Sequence, residues 1–436
     1  MEILDWTTLN ERERRAALAR PQLAACVEAT RVAQDVIDAV RQEGDAALRT
    51  FTQRFDAVDL KSFVVSEEEI AEARHALTAS QIGALERAIT NVRAFHSAQL
   101  PKPFVLETEP GVRCETRVQP VESVGLYVPA GSAPLPSTVI MLAVPAHLAG
   151  CPHRVLCTPP GSNGSAHPAV LTAAHLCGID HIFKVGGAQA IAALAYGTET
   201  LPKVDKIFGP GNAWVTAAKE LVAQDPAGAA CDLPAGPSEV LIIADETARA
   251  DFVAADLLAQ AEHDPLAQAL LVTDRRQLAV CVKEVIECAL PRLTRRRILE
   301  QSLMSCRCIL VPDLNTAHTL ANNYAPEHLL LQVREPRRYL AKVRNAGSVF
   351  LGPWSAEVFG DYCSGANHVL PTAGFARTFS GLSVRDFMKA ITVQEISRSG
   401  LAALGPTAAI LANLEGLDAH AQAVTRRLDA LAEARA

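Results

Sequence analysis

No stretch of the chain reaches the ~18 consecutive apolar residues that a membrane helix needs, so no transmembrane span is expected. The opening residues, Met1-Glu2-Ile3-Leu4-Asp5-Trp6, have no basic segment followed by an apolar one, so no secretory leader is expected either. Lysines and arginines are scattered, apart from short runs such as Arg295-Arg296-Arg297, and the net charge is -7. That leaves no electrostatic footprint for nucleic acid. The eleven cysteines contain no C-x-x-C, and only Cys306 and Cys308 lie close together. A thiolate zinc knuckle and a disulfide framework are thereby excluded; reduced, mostly buried thiols in a cytoplasmic protein fit instead. Two enzyme signatures are also missing. Without G-x-G-x-x-G there is no ordinary dinucleotide fingerprint, and the absence of H-E-x-x-H counts against a zinc hydrolase.

What is present is a large apolar fraction. With 436 residues, 49% of them hydrophobic and 20% charged, the chain supports two or three domains with substantial cores. Residues 1 to about 100 read as helices. Val36, Val40, Ala47, Leu48 and Phe51 form a helical stripe over Val32–Phe55. Ser66 followed by Glu67-Glu68-Glu69 is an N-cap with acids at the positive end of the helix dipole, and that helical stretch breaks near Thr78–Ser80. From Val124 the pattern changes to short β-branched strands alternating with helices. One series runs to about residue 223 and a second from Val240 to about Leu351. Such alternation predicts parallel, doubly wound sheets in two α/β domains, with ligands at the carboxyl ends of the strands. Phe387–Ile396 reads as an extended crossover. Two helices follow, Leu401–Leu414 and Leu417–Ala434, the second carrying an apolar stripe of Ala421, Val424, Leu428 and Leu431 that needs something to pack against.

Several polar stretches stand out from this background. Gln260 and His263 are three residues apart at the end of a helical run, so they share a face and offer half of an N/O metal site. Taken alone, Q-x-x-H is equally a polar patch at a helix end. Glu327-His328 opens a strand and offers an acid and an imidazole for proton transfer. Strand neighbours point to opposite faces, so both serve one site only where the backbone is irregular. Asp361 and His368 in Gly360–His368, and Glu415 and His420 near the C-terminus, add further acids and imidazoles. The turns Pro129–Pro136, Gly186–Ala190 and Gly209–Asn212 each lie between a strand and a helix, where backbone N–H groups can meet a phosphate. As isolated turns they are also ordinary loop chemistry.

Together these stretches resemble the histidinol dehydrogenase family from about residue 25 to 425. The most specific segments are Val124–Pro129, Gly209–Asn212, Asp232–Glu239, Gln260–His263, Ala325–Leu329, Gly360–Tyr362 with Asn367–Thr372, and Glu415–His420. The resemblance implies two incomplete Rossmann-like doubly wound α/β domains of the aldehyde-dehydrogenase-like kind, with a helical N-terminal segment and a helical C-terminal tail. The chain then divides into a helical arm over 1–24, a first α/β domain from 25–123 with 238–380, a second over 124–237, and a dimerisation tail over 381–436.

The resemblance also implies an activity. L-histidinol would be oxidised to L-histidine through L-histidinaldehyde, with two NAD+ and one Zn2+ per subunit, in the final steps of histidine biosynthesis. By motif match, Gln260, His263, Asp361 and His420 correspond to zinc ligands, and Glu327 and His328 to the catalytic pair. Ser238, His368 and Glu415 correspond to substrate contacts, alongside Gln260, His263, His328, Asp361 and His420. Tyr127, Gln189 and Asn212 correspond to NAD contacts. A homodimer with a composite active site is implied as well. Departures from the family pattern fall at Cys231, Asp264, Cys363 and Ala366, none of them a ligand or catalytic position. Alternatives are a related zinc and NAD dehydrogenase acting on another amino or sulfonated alcohol, a zinc hydrolase, or a non-catalytic binding protein with two α/β lobes.

Overall fold

The computed structural model describes residues 1–21, 26–130, 133–233 and 236–434. Gly131 and Ser132 of the first glycine-rich turn, Pro234 and Ala235 of the Asp232–Glu239 segment, and the expected boundary at residue 24 lie outside the described residues. In chain order the strands are β1 (Glu2–Asp5), β2 (Phe104–Glu109), β3 (Val112–Pro120), β4 (Ser123–Tyr127), β5 (His153–Thr158), β6 (His181–Lys184) and β7 (Lys206–Phe208). They continue with β8 (Ala230–Cys231), β9 (Glu239–Ala244), β10 (Gln268–Thr273), β11 (Arg307–Leu310), β12 (His328–Gln332), β13 (Ser348–Leu351) and β14 (Met388–Ile396). The chain separates into two compact units, residues 1–99 with 122–387, and residues 100–121 with 388–436.

The first unit holds two parallel sheets, ordered β1-β11-β10-β9-β12-β13 and β6-β5-β4-β7-β8. In the six-stranded sheet successive residues feed two cores. Val240, Ile242, Leu271 and Leu330 face the helices Ala250–Ala261 and Arg276–Ala289, whereas Leu241, Ile243, Val272 and Leu331 face the helix Leu314–Tyr324. Because both faces are covered, these strands read as continuous apolar runs rather than alternating ones. The five-stranded sheet packs Val155, Cys157, Phe183 and Ile207 against a core that includes Ile191, Leu194, Val215 and Val222 of the helices Gly187–Tyr196 and Ala213–Gln224.

The N-terminal region departs from the purely helical expectation. Glu2–Asp5 is an edge strand, paired parallel with Arg307–Leu310. Four residues are too few for a period to show, and only the distant partner makes them a strand. The expected helix over Val32–Phe55 is two helices, Cys26–Glu43 and Asp45–Phe55. They are parted by Gly44 at φ +55°, where a Cβ would strike the Glu199 carboxylate. The cap at Ser66 and the break near Thr78 are as expected. Ser66 and Glu69 form a capping box, and Thr78 with Gln81 forms another at the break.

The second unit is an antiparallel sheet ordered β14-β3-β2 together with the helices Arg398–Leu414 and Asp418–Glu433. The crossover over Phe387–Ile396 is strand β14, and β2 and β3 carry no expectation from the sequence. Every residue of β2 is exposed, so it has no buried face to imprint alternation on its sequence.

Candidate active site

Glu327 and His328 follow the helix Leu314–Tyr324, which ends at Ala325 in the left-handed region, φ +54°. Pro326 comes next, and the ladder of β12 begins only at His328. Glu327 therefore sits in the irregular backbone that shared use of both side chains requires. Its Oε2 lies 3.7 Å from His328 Nδ1. The main chain of Glu239, at the start of β9, touches both residues. Its N–H donates to Glu327 Oε2 at 2.8 Å, and its carbonyl is 3.3 Å from His328 Nδ1. Gln260 Oε1 is a second acceptor for Nδ1, at 3.2 Å. Two acceptors at Nδ1 place the proton there and leave the Nε2 lone pair free.

Gln260 lies in the last turn of the helix Ala250–Ala261, and His263 N–H donates to the Gln260 carbonyl at 3.3 Å. The helix proper ends before His263, but this closing turn keeps the two side chains on one side. Asp361, on the short helix Val358–Tyr362, approaches from across the site. Its carboxylate is 3.8 Å from His263 Nε2 and 4.0 Å from His328 Nε2. His368 Nδ1 donates to the Asp361 carbonyl at 2.8 Å, and His368 Nε2 lies 3.2 Å from Thr138 Oγ1. The Thr138 contact ties this cluster to the helix Pro136–Ala149 that follows β4. Ser238 is half-buried directly before Glu239, and its carbonyl accepts from Gln268 N–H at 3.1 Å.

Sequence reasoning missed Glu357. It lies four residues before Asp361, a spacing that places two carboxylates on one face of a helical turn. Ligand atoms of His263, Glu357 and Asp361 all fall within 4.8 Å of one another, and Glu357 Oε1 is 3.6 Å from His328 Nδ1.

The electrostatics follow from this crowding. Burial raises the pKa values of Glu327, Glu357 and Asp361, and for Glu357 the neighbouring carboxylates raise it further. Burial lowers His263 and His368, and it pushes His328 down to about 3, so His328 is a neutral imidazole near neutral pH. Among the described residues no lysine or arginine pairs with any of the three acids. Glu357 Oε2 and Gln260 Nε2 are buried without a hydrogen-bond partner. A divalent cation held by His263, Glu357 and Asp361 fits both this charge imbalance and the N/O donor set.

The residues matched to NAD contacts lie at the carboxyl ends of the five-stranded sheet. Tyr127 ends β4, is buried, and its hydroxyl accepts from Gly187 N–H at 3.1 Å. Gln189, two residues on in the helix Gly187–Tyr196, is buried with its side-chain Oε1 unpartnered. Asn212 caps the helix Ala213–Gln224 by accepting from Val215 N–H at 3.1 Å, which leaves its amide N–H groups for other use. Between them, Gly209 has φ +128°, and a Cβ there would be 2.1 Å from the Tyr127 carbonyl oxygen. A buried Lys219–Asp232 ion pair grips this turn. Asp232 accepts from Gly209 N–H at 2.7 Å, and Lys219 donates to the Gly209 carbonyl at 2.8 Å.

Glu415 and His420 belong to the second unit. Both are exposed, at the turn between the helices Arg398–Leu414 and Asp418–Glu433, beside the apolar side chains of Leu411 and Leu417.

Two Rossmann-like parallel sheets, glycine turns at the carboxyl ends of one, and a buried acid–imidazole cluster beside the other define an α/β enzyme of the dehydrogenase kind. The histidinol dehydrogenase family model matches residues 19–428. The chain is 53% identical over 428 residues to a histidinol dehydrogenase of Xanthomonas euvesicatoria pv. vesicatoria (strain 85-10), covering 98% of this chain and 99% of that one. It is 51% identical over 431 residues to one from Vibrio vulnificus (strain CMCP6), covering 99% of each. The crystal structure of histidinol dehydrogenase from Elizabethkingia anophelis superposes with a TM-score of 0.94 at 43% identity, covering 99% of this chain and 98% of that one. The chain belongs to the histidinol dehydrogenase family, which is a family of oxidoreductases.

Proposed function

We propose that the protein oxidises L-histidinol to L-histidine through L-histidinaldehyde, using one Zn2+ per subunit and two NAD+, as the final steps of histidine biosynthesis in the cytoplasm. The observation that carries this reading is the burial of Glu327 and His328 against Gln260, His263 and Asp361. When bound, zinc supplies a fixed anchor for the polar groups of the substrate, and NAD+ supplies the hydride acceptor. Gln260, His263 and Asp361 would hold the metal, with His420 as a further ligand. Tyr127, Gln189 and Asn212 would hold the dinucleotide.

The chain's own groups handle the protons. His328, fixed at Nδ1 by Glu239 and Gln260, presents the Nε2 lone pair and takes the alcohol proton. Glu327, held by the Glu239 N–H, takes a proton from the water that adds to the aldehyde. Burial strengthens it as a base over a solvated carboxylate. Ser238, His368 and the partner's Glu415 would bind the substrate, because we read the molecule as a homodimer in which the partner's Glu415 and His420 complete each site.

The test is NADH formation from L-histidinol before and after chelation, with far-UV circular dichroism recorded alongside. The expected result is loss of turnover with the dichroism unchanged, since the helix that carries Gln260 packs through Val253, Ala254, Leu257 and Ala261 into an apolar core that needs no metal. Undiminished turnover after verified metal removal would refute the zinc role. No NADH from the untreated protein with this substrate would refute the activity.

A further inference from the structure

We infer that Arg20, acting through the carboxylate of Glu239, is a positioning residue for both Glu327 and His328; the inference rests on the proton-transfer roles proposed above. Glu239 is the common point of contact. Its N–H holds the Glu327 carboxylate and its carbonyl holds His328 Nδ1, so a shift of this one peptide segment moves both groups together. The Glu239 side chain is what anchors that segment. It is 2% exposed, and Arg20 clamps it with a two-pronged contact, Nε to Oε2 at 2.7 Å and Nη2 to Oε1 at 3.1 Å. The planar fork of a guanidinium fixes a carboxylate in orientation as well as in place.

The same guanidinium reaches the other side of the pair. Nη2 donates to the Tyr324 carbonyl at 2.9 Å, and the cation lies 4.0 Å from the centroid of the Tyr324 ring. Tyr324 is the last helical residue before the kink at Ala325 that delivers Glu327. Its hydroxyl lies in the same cluster, with its one proton shared between two acceptors, Glu239 Oε2 and Gln268 Oε1, the latter at 2.6 Å. Gln268 in turn donates to the Ala19 carbonyl at 2.9 Å, which holds the arm that carries Arg20. Arg20 thus joins the start of β9 to the entry of β12, the two segments that set the distance between the proton acceptors and their shared partner. Arg20 forms no hydrogen bond or ion pair with Gln260, His263 or Asp361, so its effect passes through other residues.

The experiment compares Arg20→Ala with the wild type in both half-reactions, in the metal-loaded protein. Sub-ångström misplacement of reacting groups lowers turnover far more than binding. The expected loss in kcat is therefore about 100-fold, with KM for L-histidinol changed by no more than about threefold. Added guanidinium ion should refill the gap and restore part of the lost kcat, whereas it should do nothing for the wild type. Should Arg20→Ala fail to fold, the double variant Arg20→Met/Glu239→Gln decides. It removes both charges of the ion pair together, so the fold should return while the clamp stays lost, and kcat should remain low. Wild-type kcat in either folded variant, or failure of guanidinium to restore any activity to folded Arg20→Ala, would overturn the inference. Glu327→Gln and His328→Asn, assayed in parallel, separate the two claims. If those remain active, the proton-transfer reading itself fails. If they lose activity while the Arg20 variants keep it, only the positioning role fails.

Discussion

Glu327 and His328 are neighbours in the chain, yet burial drives them in opposite directions. The carboxylate becomes a stronger base, and the imidazole is kept neutral. In the proposed reaction that divergence divides the work. Glu327→Gln keeps the shape of the side chain but cannot accept a proton from water. It should depress the aldehyde-to-acid step far more than alcohol oxidation, and equal losses in the two separately assayed steps would contradict the assignment. His328→Asn should slow alcohol oxidation as well. A second titrating group, remote from the site, bears on stability. His318 is buried, its ring nitrogens have no partner, and it stacks on Tyr339 at 4.7 Å. Burial, with Lys342 nearby, lowers its pKa from 6.5 to about 4. The folded value lies below the unfolded one, so as pH falls from 6.5 toward 4 the unfolded chain takes up the proton first and stability declines. His318→Phe, which keeps the stack and removes the titration, should flatten that part of the curve of unfolding midpoint against pH. An unchanged slope would show that other groups set it.

At the scale of single elements, what matters is how a strand or helix ends. The turn after β7 is the clearest case. Gly209 takes a backbone conformation closed to other residues, lies against the Tyr127 carbonyl, and has both its peptide groups tied to the Lys219–Asp232 pair. Gly209→Ala should therefore cost about 1–3 kcal/mol of stability from backbone strain, with added loss from the contact. If this turn carries the dinucleotide, KM for NAD+ should rise while KM for L-histidinol stays near its starting value. A parallel rise in both would place the turn's influence elsewhere. Cys231 packs beside this pair with its thiol donating to the Lys219 carbonyl at 3.3 Å. Burial raises its pKa to about 12, so it stays an uncharged, apolar-like side chain there.

At the scale of the whole molecule, the question is whether one chain is sufficient. The helices of the second unit expose Ile410, Leu411 and Leu414, an apolar face next to Glu415 and His420. In the proposed homodimer, His263→Ala and His420→Ala proteins should each be nearly inactive. A mixed dimer would concentrate both lesions in one site and leave the other intact. Co-expression of the two variants should then recover activity from one site per heterodimer. No recovery in a verified heterodimer would mean that each site draws all its ligands from one chain.

The sequence by itself determined the alternation of strands and helices, because strands covered on both faces must be apolar throughout and helices between them must carry stripes. It also determined the helix cap at Ser66 and the break near Thr78, because such signals act over three residues and are legible locally. The motif residues Gln260, His263, Glu327, His328, Asp361 and His368 were legible as candidates through spacing and family resemblance. Only the tertiary structure brought those six together, added Glu357, and made Glu239 the residue that touches both Glu327 and His328. The bonds involved join positions up to 304 residues apart, as between Arg20 and Tyr324, and no local period records them. The edge strand Glu2–Asp5 and the exposed strand β2 were likewise decided by their partners. Four residues carry no measurable period, a strand with no buried face carries no alternation, and in both the pairing itself supplies the structure.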